Sequence, residues 1–128
     1  MANQVTNIGG MLSAVTTTFA YTNATAVTIA TIPAGAQIVD INIDVTTAFN
    51  AGTTNTVTVG TSASAAAYVT STSVGSAGRA SVATTGVYSA WANTGSSDLS
   101  ATITYSQTGT AASAGAARVT IVYKYADV

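Results

Sequence analysis

Apolar and polar residues alternate with a period of two along much of the chain. The clearest run is Gln37–Val45, in which one side of the alternation carries Asp40, Asn42 and Asp44. The other side carries Val39, Ile41, Ile43 and Val45. Because successive side chains of a β-strand point to opposite faces of its sheet, this pattern predicts a strand with one buried and one solvated face.

Seven further runs show the same period or a β-rich composition, which gives about eight candidate strands. They are Val15–Tyr21, Val27–Ala30, Thr56–Val59, Ala80–Thr84, Val87–Trp91, Thr102–Tyr105 and Arg118–Tyr125. Within Val27–Ala30, the alternation places Val27 and Ile29 on one face of the strand and Thr28 and Ala30 on the other. The segment Ala63–Val69 fits either a short strand or a single helical turn.

Turn-forming residues separate these runs. Ile32-Pro33-Ala34-Gly35 fits a type I turn, with proline in the second position and glycine in the fourth. By composition, loops are expected at Asn50–Gly52, Gly75–Gly78, Asn93–Gly95 and Gly109–Gly115. Short strands separated by turns at regular intervals are typical of sandwiches and jelly rolls.

The composition agrees with an all-β fold. Thr, Val, Ile, Tyr, Phe and Trp make up 56 of the 128 residues, whereas Leu, Met, Glu, Gln, Lys and Arg make up only 10. We therefore predict an antiparallel β-sandwich, jelly-roll-like, with about eight short strands. It forms a single domain over residues 11–128, and residues 1–10, which lack periodicity, form an extended N-terminal arm.

The near absence of charge and of reactive side chains excludes many functions. The chain has four Asp, two Arg and one Lys, with no Glu, His or Cys. The usual zinc ligand sets, disulfides and the standard hydrolase triads are therefore excluded, and no cofactor is expected. Three cations are too few for nucleic-acid binding, and no apolar stretch is long enough to span a membrane. We predict a protein that is not an enzyme.

The candidate sites are few, and each has a plainer interpretation. Asp40, Asn42 and Asp44 match the opening of a calcium-binding loop, but the required glycine and glutamate are missing. On a strand, Asp40 and Asp44 would lie about 13 Å apart, so a solvated strand face is the preferred interpretation. Asp98 and Asp127 form no catalytic pair with each other or with the strand carboxylates.

Two further groups of side chains have both a functional and a structural interpretation. Trp91, Tyr88 and Phe49 can form a sugar-binding platform, although core packing or a subunit contact explains them more simply. Lys124 is a candidate for an isopeptide cross-link, although an ordinary surface lysine is the preferred interpretation. No catalytic, cofactor or metal residue is therefore assigned from the sequence.

The lack of surface charge favours an assembly. Soluble monomers carry charge on about a quarter to a third of their surface positions, whereas this chain has seven charged residues in all. Its outward strand positions are mostly Thr, Ser and Asn, and few Lys or Pro residues are available to protect edge strands. A repeating structural subunit explains these features together.

Parts of the sequence resemble small structural proteins of tailed bacteriophages, most closely head decoration (cement) proteins. The resemblance lies in residues 27–36, in residues 44–60, and in the closing run Ala117–Tyr125. It implies a compact β domain on the outer capsid surface that is made in the host cytoplasm, forms a homotrimer, contacts the major capsid protein and touches the shell with a terminal arm. The alternative is a carbohydrate- or receptor-binding β-sandwich of a phage tail or spike.

Overall fold

The computed structural model describes residues 12–23, 25–80, 93 and 95–125, which form eight β-strands. The strands are β1 (Ser13–Ala20), β2 (Val27–Ile32), β3 (Ala36–Thr47), β4 (Thr54–Gly60), β5 (Val69–Ser73), β6 (Gly78–Arg79), β7 (Leu99–Thr108) and β8 (Ala116–Tyr125). These residues contain no helix, and hence no helix that could cross a membrane. The predicted all-β class is confirmed.

The strands form two antiparallel four-stranded sheets that enclose a single core. Sheet A has the order β1-β8-β3-β6, and sheet B has the order β2-β7-β4-β5. Each of the first four strands pairs with one of the last four: β1 with β8, β2 with β7, β3 with β6 and β4 with β5. The β-sandwich predicted from the sequence is therefore the observed architecture.

The core consists of inward-facing aliphatic residues from both sheets and a small aromatic group. Phe49 is 2% exposed, and its ring centroid lies 5.6 Å from that of Phe19 and 4.7 Å from that of Tyr105. The fully buried aliphatic side chains are Ile32, Ile41, Ile43, Ile103, Ile121, Val45, Val57, Val59, Val69, Val74 and Val119. The alternation in β4, β7 and β8 is confirmed, since its apolar sides face this core.

Two β-bulges correct the predicted strand faces. In β3 the register shifts between Ile38 and Asp40, so that Ile38 is buried and Val39 is 45% exposed. In β2 a shift between Thr28 and Ala30 brings Ala30 into the core next to Ile29. The predicted inward position of Val39 and outward position of Ala30 are therefore wrong, because a bulge inserts one residue and reverses the alternation on one side of it.

The turn after β2 also lies one residue later than predicted. The Ala36 N–H donates to the Pro33 carbonyl at 3.0 Å, so the turn spans Pro33 to Ala36. Gly35 occupies its third position with φ of +82°, a conformation that glycine adopts without a steric penalty. The glycine is therefore the left-handed third residue of the turn and not its fourth residue.

Two short strands, β5 and β6, differ from the elements predicted in these parts of the chain. β5 begins at Val69, the last residue of the ambiguous segment Ala63–Val69. Its inward positions are Val69 and Thr72, so the strand lacks an apolar alternation. β6 (Gly78–Arg79) begins at the last residue of the predicted loop Gly75–Gly78, and the following Ala80 N–H donates to the Ile43 carbonyl. The rest of the candidate strand Ala80–Thr84, all of Val87–Trp91, and residues 1–10 lie outside the described residues.

Hydrogen bonds join two loops at one end of the sandwich. The Asn50 side-chain carbonyl accepts from the Ser113 and Ala114 N–H groups, and its amide donates to the Ser113 hydroxyl. Between the same loops, the Gly52 N–H donates to the Thr110 carbonyl at 2.8 Å. The loop between β3 and β4 is thereby tied to the loop between β7 and β8, directly beside Phe49.

Candidate interaction surface

The outer face of sheet A carries most of the charge of the chain. Asp40 and Asp44 project from β3, Arg118 and Lys124 from β8, and Arg79 from β6. These are five of the seven charged residues in the sequence. They share one face because each occupies the strand position opposite to the buried set Ile41, Ile43, Val119 and Ile121.

Each carboxylate on this face has its own arginine. Arg118 Nη2 lies 2.7 Å from Asp44 Oδ2, and Arg79 Nη2 lies 3.9 Å from Asp40 Oδ2. All four side chains are substantially exposed, so each pair contributes about 1 kcal/mol or less to stability. The described residues contain no group of three or more acidic, His or Cys side chains that could hold a metal ion. The two carboxylates are therefore engaged in ion pairs along a solvated strand face.

A shallow polar depression lies beside the Asp44–Arg118 pair. It has a volume of about 180 Å³ and is lined by Thr16, Asn42, Asp44, Arg118 and Thr120. The hydroxyls of Thr16 and Thr120 are hydrogen-bonded to each other at 2.8 Å. Neither hydroxyl has a histidine to activate it, and Asp44 is bound by Arg118, so the arrangement provides polar contacts and no activated nucleophile.

The outer face of sheet B differs, since its outward strand positions, apart from Gly60, carry hydroxyl groups and no charge. Cross-strand pairs include Thr54 with Thr108, whose hydroxyls lie 2.7 Å apart, and Thr58 with Thr104. The other outward residues on this face are Thr28, Thr31, Thr56, Ser71, Ser73, Ser100, Thr102 and Ser106. The molecule therefore presents one charged and one uncharged sheet face.

The remaining candidate residues lie in separate places. Phe49 is in the core, so the predicted aromatic platform loses one of its three members, while Tyr88 and Trp91 lie outside the described residues. Asp98 accepts a hydrogen bond from the Ala34 N–H at 3.2 Å, which ties its loop to the turn after β2. Lys124 lies opposite Gln37 in the β3–β8 ladder, and Asp127 lies outside the described residues.

Asn93 has a structural role that its sequence context did not reveal. It is 3% exposed, and its side-chain amide donates to the carbonyls of Ile32 and Ser97 at 3.0 and 2.9 Å. Its side-chain carbonyl accepts from the Gly95 N–H, and its backbone pairs with Gly35 and Ala36. An asparagine two residues before a glycine is an ordinary loop signal, so only the fold shows that this residue is buried.

Tyr68, which is buried, and Tyr105, which is partly buried, give the protein a pH response under alkaline conditions. Burial raises the pKa of Tyr68 and Tyr105 above the ordinary value of 10.0. Since the unfolded chain then loses these protons before the folded chain does, the stability that they contribute is present below pH 10 and is lost as pH rises through the folded-state values. There is no histidine to titrate near neutrality.

The urea midpoint should therefore stay constant from about pH 6 to about pH 9 and fall above about pH 10. Replacing Tyr68 with phenylalanine removes one of the two groups, so it should reduce the alkaline fall while the midpoint below about pH 9 stays independent of pH. A midpoint that changes near neutral pH, or an alkaline fall of equal size in Tyr68→Phe, would contradict this assignment.

The geometry defines the class of fold as an antiparallel β-sandwich of two four-stranded sheets. No protein-family model and no curated protein sequence matches the chain. The solved structure of the cyanophage Pam1 capsid asymmetric unit contains a chain of this fold, with a TM-score of 0.72 and 24% sequence identity. The match covers 97% of this chain and 91% of that chain, so the two share a fold over nearly their whole lengths.

Proposed function

We propose that this chain is a non-enzymatic structural protein of a virion. The observation that carries the proposal is the near-complete fold match to a chain of a cyanophage capsid asymmetric unit. The side-chain chemistry agrees with it, because the chain has no His or Cys and both carboxylates on sheet A form ion pairs with arginines. A fold alone does not define a function, so the agreement of these independent features matters.

Within the virion, we propose a head decoration (cement) role on the outer capsid surface. The protein is made in the host cytoplasm, forms a homotrimer, bridges subunits of the major capsid protein and binds neither nucleic acid nor membrane. The resemblance to decoration proteins supports this role, since its segments coincide with β2 to β4 and with β8. Residues 1–10 act as an arm that touches the shell.

The sheet topology supports a jelly roll as the particular form of the sandwich. Eight strands divide into two sheets of four, and the chain pairs its first four strands with its last four in reverse order. This is the arrangement that results when one long antiparallel hairpin is wrapped into two layers. Such a domain is compact and places its loops at the two ends of the sandwich.

The uncharged outer face of sheet B suits contact with the shell. Charged residues are depleted where protein interfaces are fully desolvated, and apart from Gly60 the described outward strand positions of sheet B are Thr and Ser. On the opposite side of the domain, the ion pairs of sheet A remain hydrated. A protein bound in this way stabilises the closed shell by mass action, because it binds neighbouring capsid subunits only while they are together.

The test is heat resistance of native particles depleted of the protein and then supplied with it again. Particles with the protein should survive higher temperatures than particles without it. Binding should change little in high salt or in chelator, since the contact uses few charges and no metal. Equal heat resistance with and without the protein would refute the proposed stabilisation of the shell. Loss of binding in chelator would instead indicate a cation at Asp40 and Asp44.

Two matched lysine variants locate the contact. Thr104→Lys places a charge on the outer face of sheet B, and Asn42→Lys places one at a similarly half-buried position on sheet A. Thr104→Lys should reduce particle binding at least about tenfold, because an interfacial ammonium group must be desolvated, while Asn42→Lys should bind normally. The reverse order would place the shell contact on sheet A.

A further inference from the structure

Among the residues that the structure describes, no further strand lies beside β1, and its pairing is more regular than that of the other edge strands. Sheet A ends in β1 and β6, and sheet B ends in β2 and β5. β6 has two residues, and both β2 and β5 have a register shift in their pairing with the neighbouring strand. β1 pairs with β8 over eight residues with no shift, and Ser13–Ala20 contains no charged residue or proline. Native proteins usually protect such edges, because they template pairing with another strand.

The hydrogen bonds at the end of β1 show which of its backbone groups point outward. The Tyr21 N–H donates to the Gly115 carbonyl, so the odd-numbered residues of the strand direct their groups toward β8. Ala20 points the other way, and both of its backbone groups are taken by Asn23, at 2.7 Å through the side chain and 2.9 Å through the backbone. The free edge therefore consists of Ala14, Thr16 and Thr18, and Asn23 terminates it.

We propose that β1 pairs with β1 of a second copy of this chain, antiparallel and about a two-fold axis at Thr16. In this register Thr16 faces Thr16 of the second copy, and Ala14 faces Thr18. Each facing pair exchanges two backbone hydrogen bonds, which gives about six in total. Shifting the register by two residues would leave one of the three outward residues unpaired or set it against Ala20, whose groups are already bonded.

The side chains of the strand fit the same arrangement. No charge opposes another across the axis, and a threonine hydroxyl both donates and accepts, so Thr16 is complementary to its own copy. On the outer face, Thr16 continues the row formed by Thr120 and Asn42, and pairing extends this row across two molecules. Leu12, which is 58% exposed just before β1, would lie opposite Ala20 of the second copy and become covered.

This pairing goes beyond the proposed virion role and does not depend on it. It is a two-fold contact that joins two sheets A into one sheet of eight strands. If a trimer forms through other surfaces, the contact joins two trimers, and otherwise it joins two monomers. In either case the protein in solution contains an even number of copies.

Single-cysteine variants test the register, because the natural chain has no cysteine. In Thr16→Cys the two thiols face each other with Cα atoms about 5.5 Å apart, within disulfide range. In Thr18→Cys they are offset along the strands by about 13 Å. Mild oxidation or a short thiol-specific cross-linker should therefore join most of the Thr16→Cys chains and few of the Thr18→Cys chains. Equal cross-linking of the two variants, or none in Thr16→Cys, would overturn the register.

Mass measurement in solution tests the pairing itself. Thr16→Lys brings two ammonium groups together at the axis and should weaken association at least about tenfold, so that the mass at micromolar concentration halves. Thr28→Lys, an exposed position on the edge strand β2, is the matched control and should keep the mass of the natural protein. An unchanged mass in Thr16→Lys would refute the proposal, whether or not the protein binds capsids.

Discussion

Replacing Gly115 with alanine is expected to destabilise the fold by about 3–5 kcal/mol. Gly115 has φ of +148°, which L-residues with a Cβ rarely adopt, and a Cβ there would lie 2.5 Å from Cδ2 of the Phe49 ring. The backbone strain costs about 1–3 kcal/mol, and the overpacked ring adds a similar amount. Since small domains have only about 5–15 kcal/mol of stability, much of the margin would be lost. Urea unfolding followed by circular dichroism measures the change.

A second glycine separates the two causes. Gly78 has φ of +110°, but a Cβ at that position would meet no atom within 4 Å. Gly78→Ala should therefore show only the backbone cost, about 1–2 kcal/mol. Combining Gly115→Ala with Phe49→Leu should recover part of the lost stability, because the smaller side chain leaves room for the methyl group. If the two glycine variants lose equal stability, the contact with Phe49 is not the cause.

Replacing Asn93 with alanine should cost about 3 kcal/mol, the second-largest effect expected from a single substitution. The side chain makes hydrogen bonds to Ile32, Ser97 and Gly95 from a position that is 3% exposed. Truncation leaves these backbone groups without a side-chain partner in a site that water enters poorly, and each unsatisfied buried group costs about 1–3 kcal/mol.

Asn50 is the matched control, because it also makes three side-chain hydrogen bonds but is exposed. Water can replace those bonds, so Asn50→Ala should cost only about 0.5–1.5 kcal/mol. Asn93→Asp would direct a carboxylate at the carbonyl oxygens of Ile32 and Ser97, and its damage should be greater at neutral pH than in acid, where the carboxyl group is protonated. Equal losses in Asn93→Ala and Asn50→Ala would show that burial does not set the cost.

The strong alternations were sufficient to predict the fold class and the centre of the core. Ile41, Ile43, Val119 and Ile121 were all placed on inward faces, and all four are buried in the central pair β3 and β8. The failures have local causes. A bulge is decided by the neighbouring strand as much as by the strand itself, so the outward position of Val39 was not visible in its own sequence. β5 was missed because Thr72 occupies an inward position where an apolar residue would have signalled the strand.

The interaction surface was harder to predict than the fold. The alternation placed Asp40 and Asp44 on a solvated face, but their pairing with Arg79 and Arg118 depends on which strands lie beside β3. Likewise, composition indicated unprotected edges, but only the strand order identifies β1 as an edge of regular pairing. Gly115 and Asn93 lie in predicted loops, and their importance arises from contacts with residues distant in sequence.

The reverse-order pairing of the strands has a consequence for how the protein is made. β8 lies between β1 and β3, and Ser13 pairs with Tyr123, so sheet A cannot form until the ribosome has released β8. Pairings between residues so far apart in sequence form slowly, and the nascent chain must keep its β-rich segments from aggregating in the meantime. Pairing with β8 holds β1 in its extended conformation, so the proposed contact between copies requires β8 to be in place. The strand order thus places the completion of sheet A before assembly through β1.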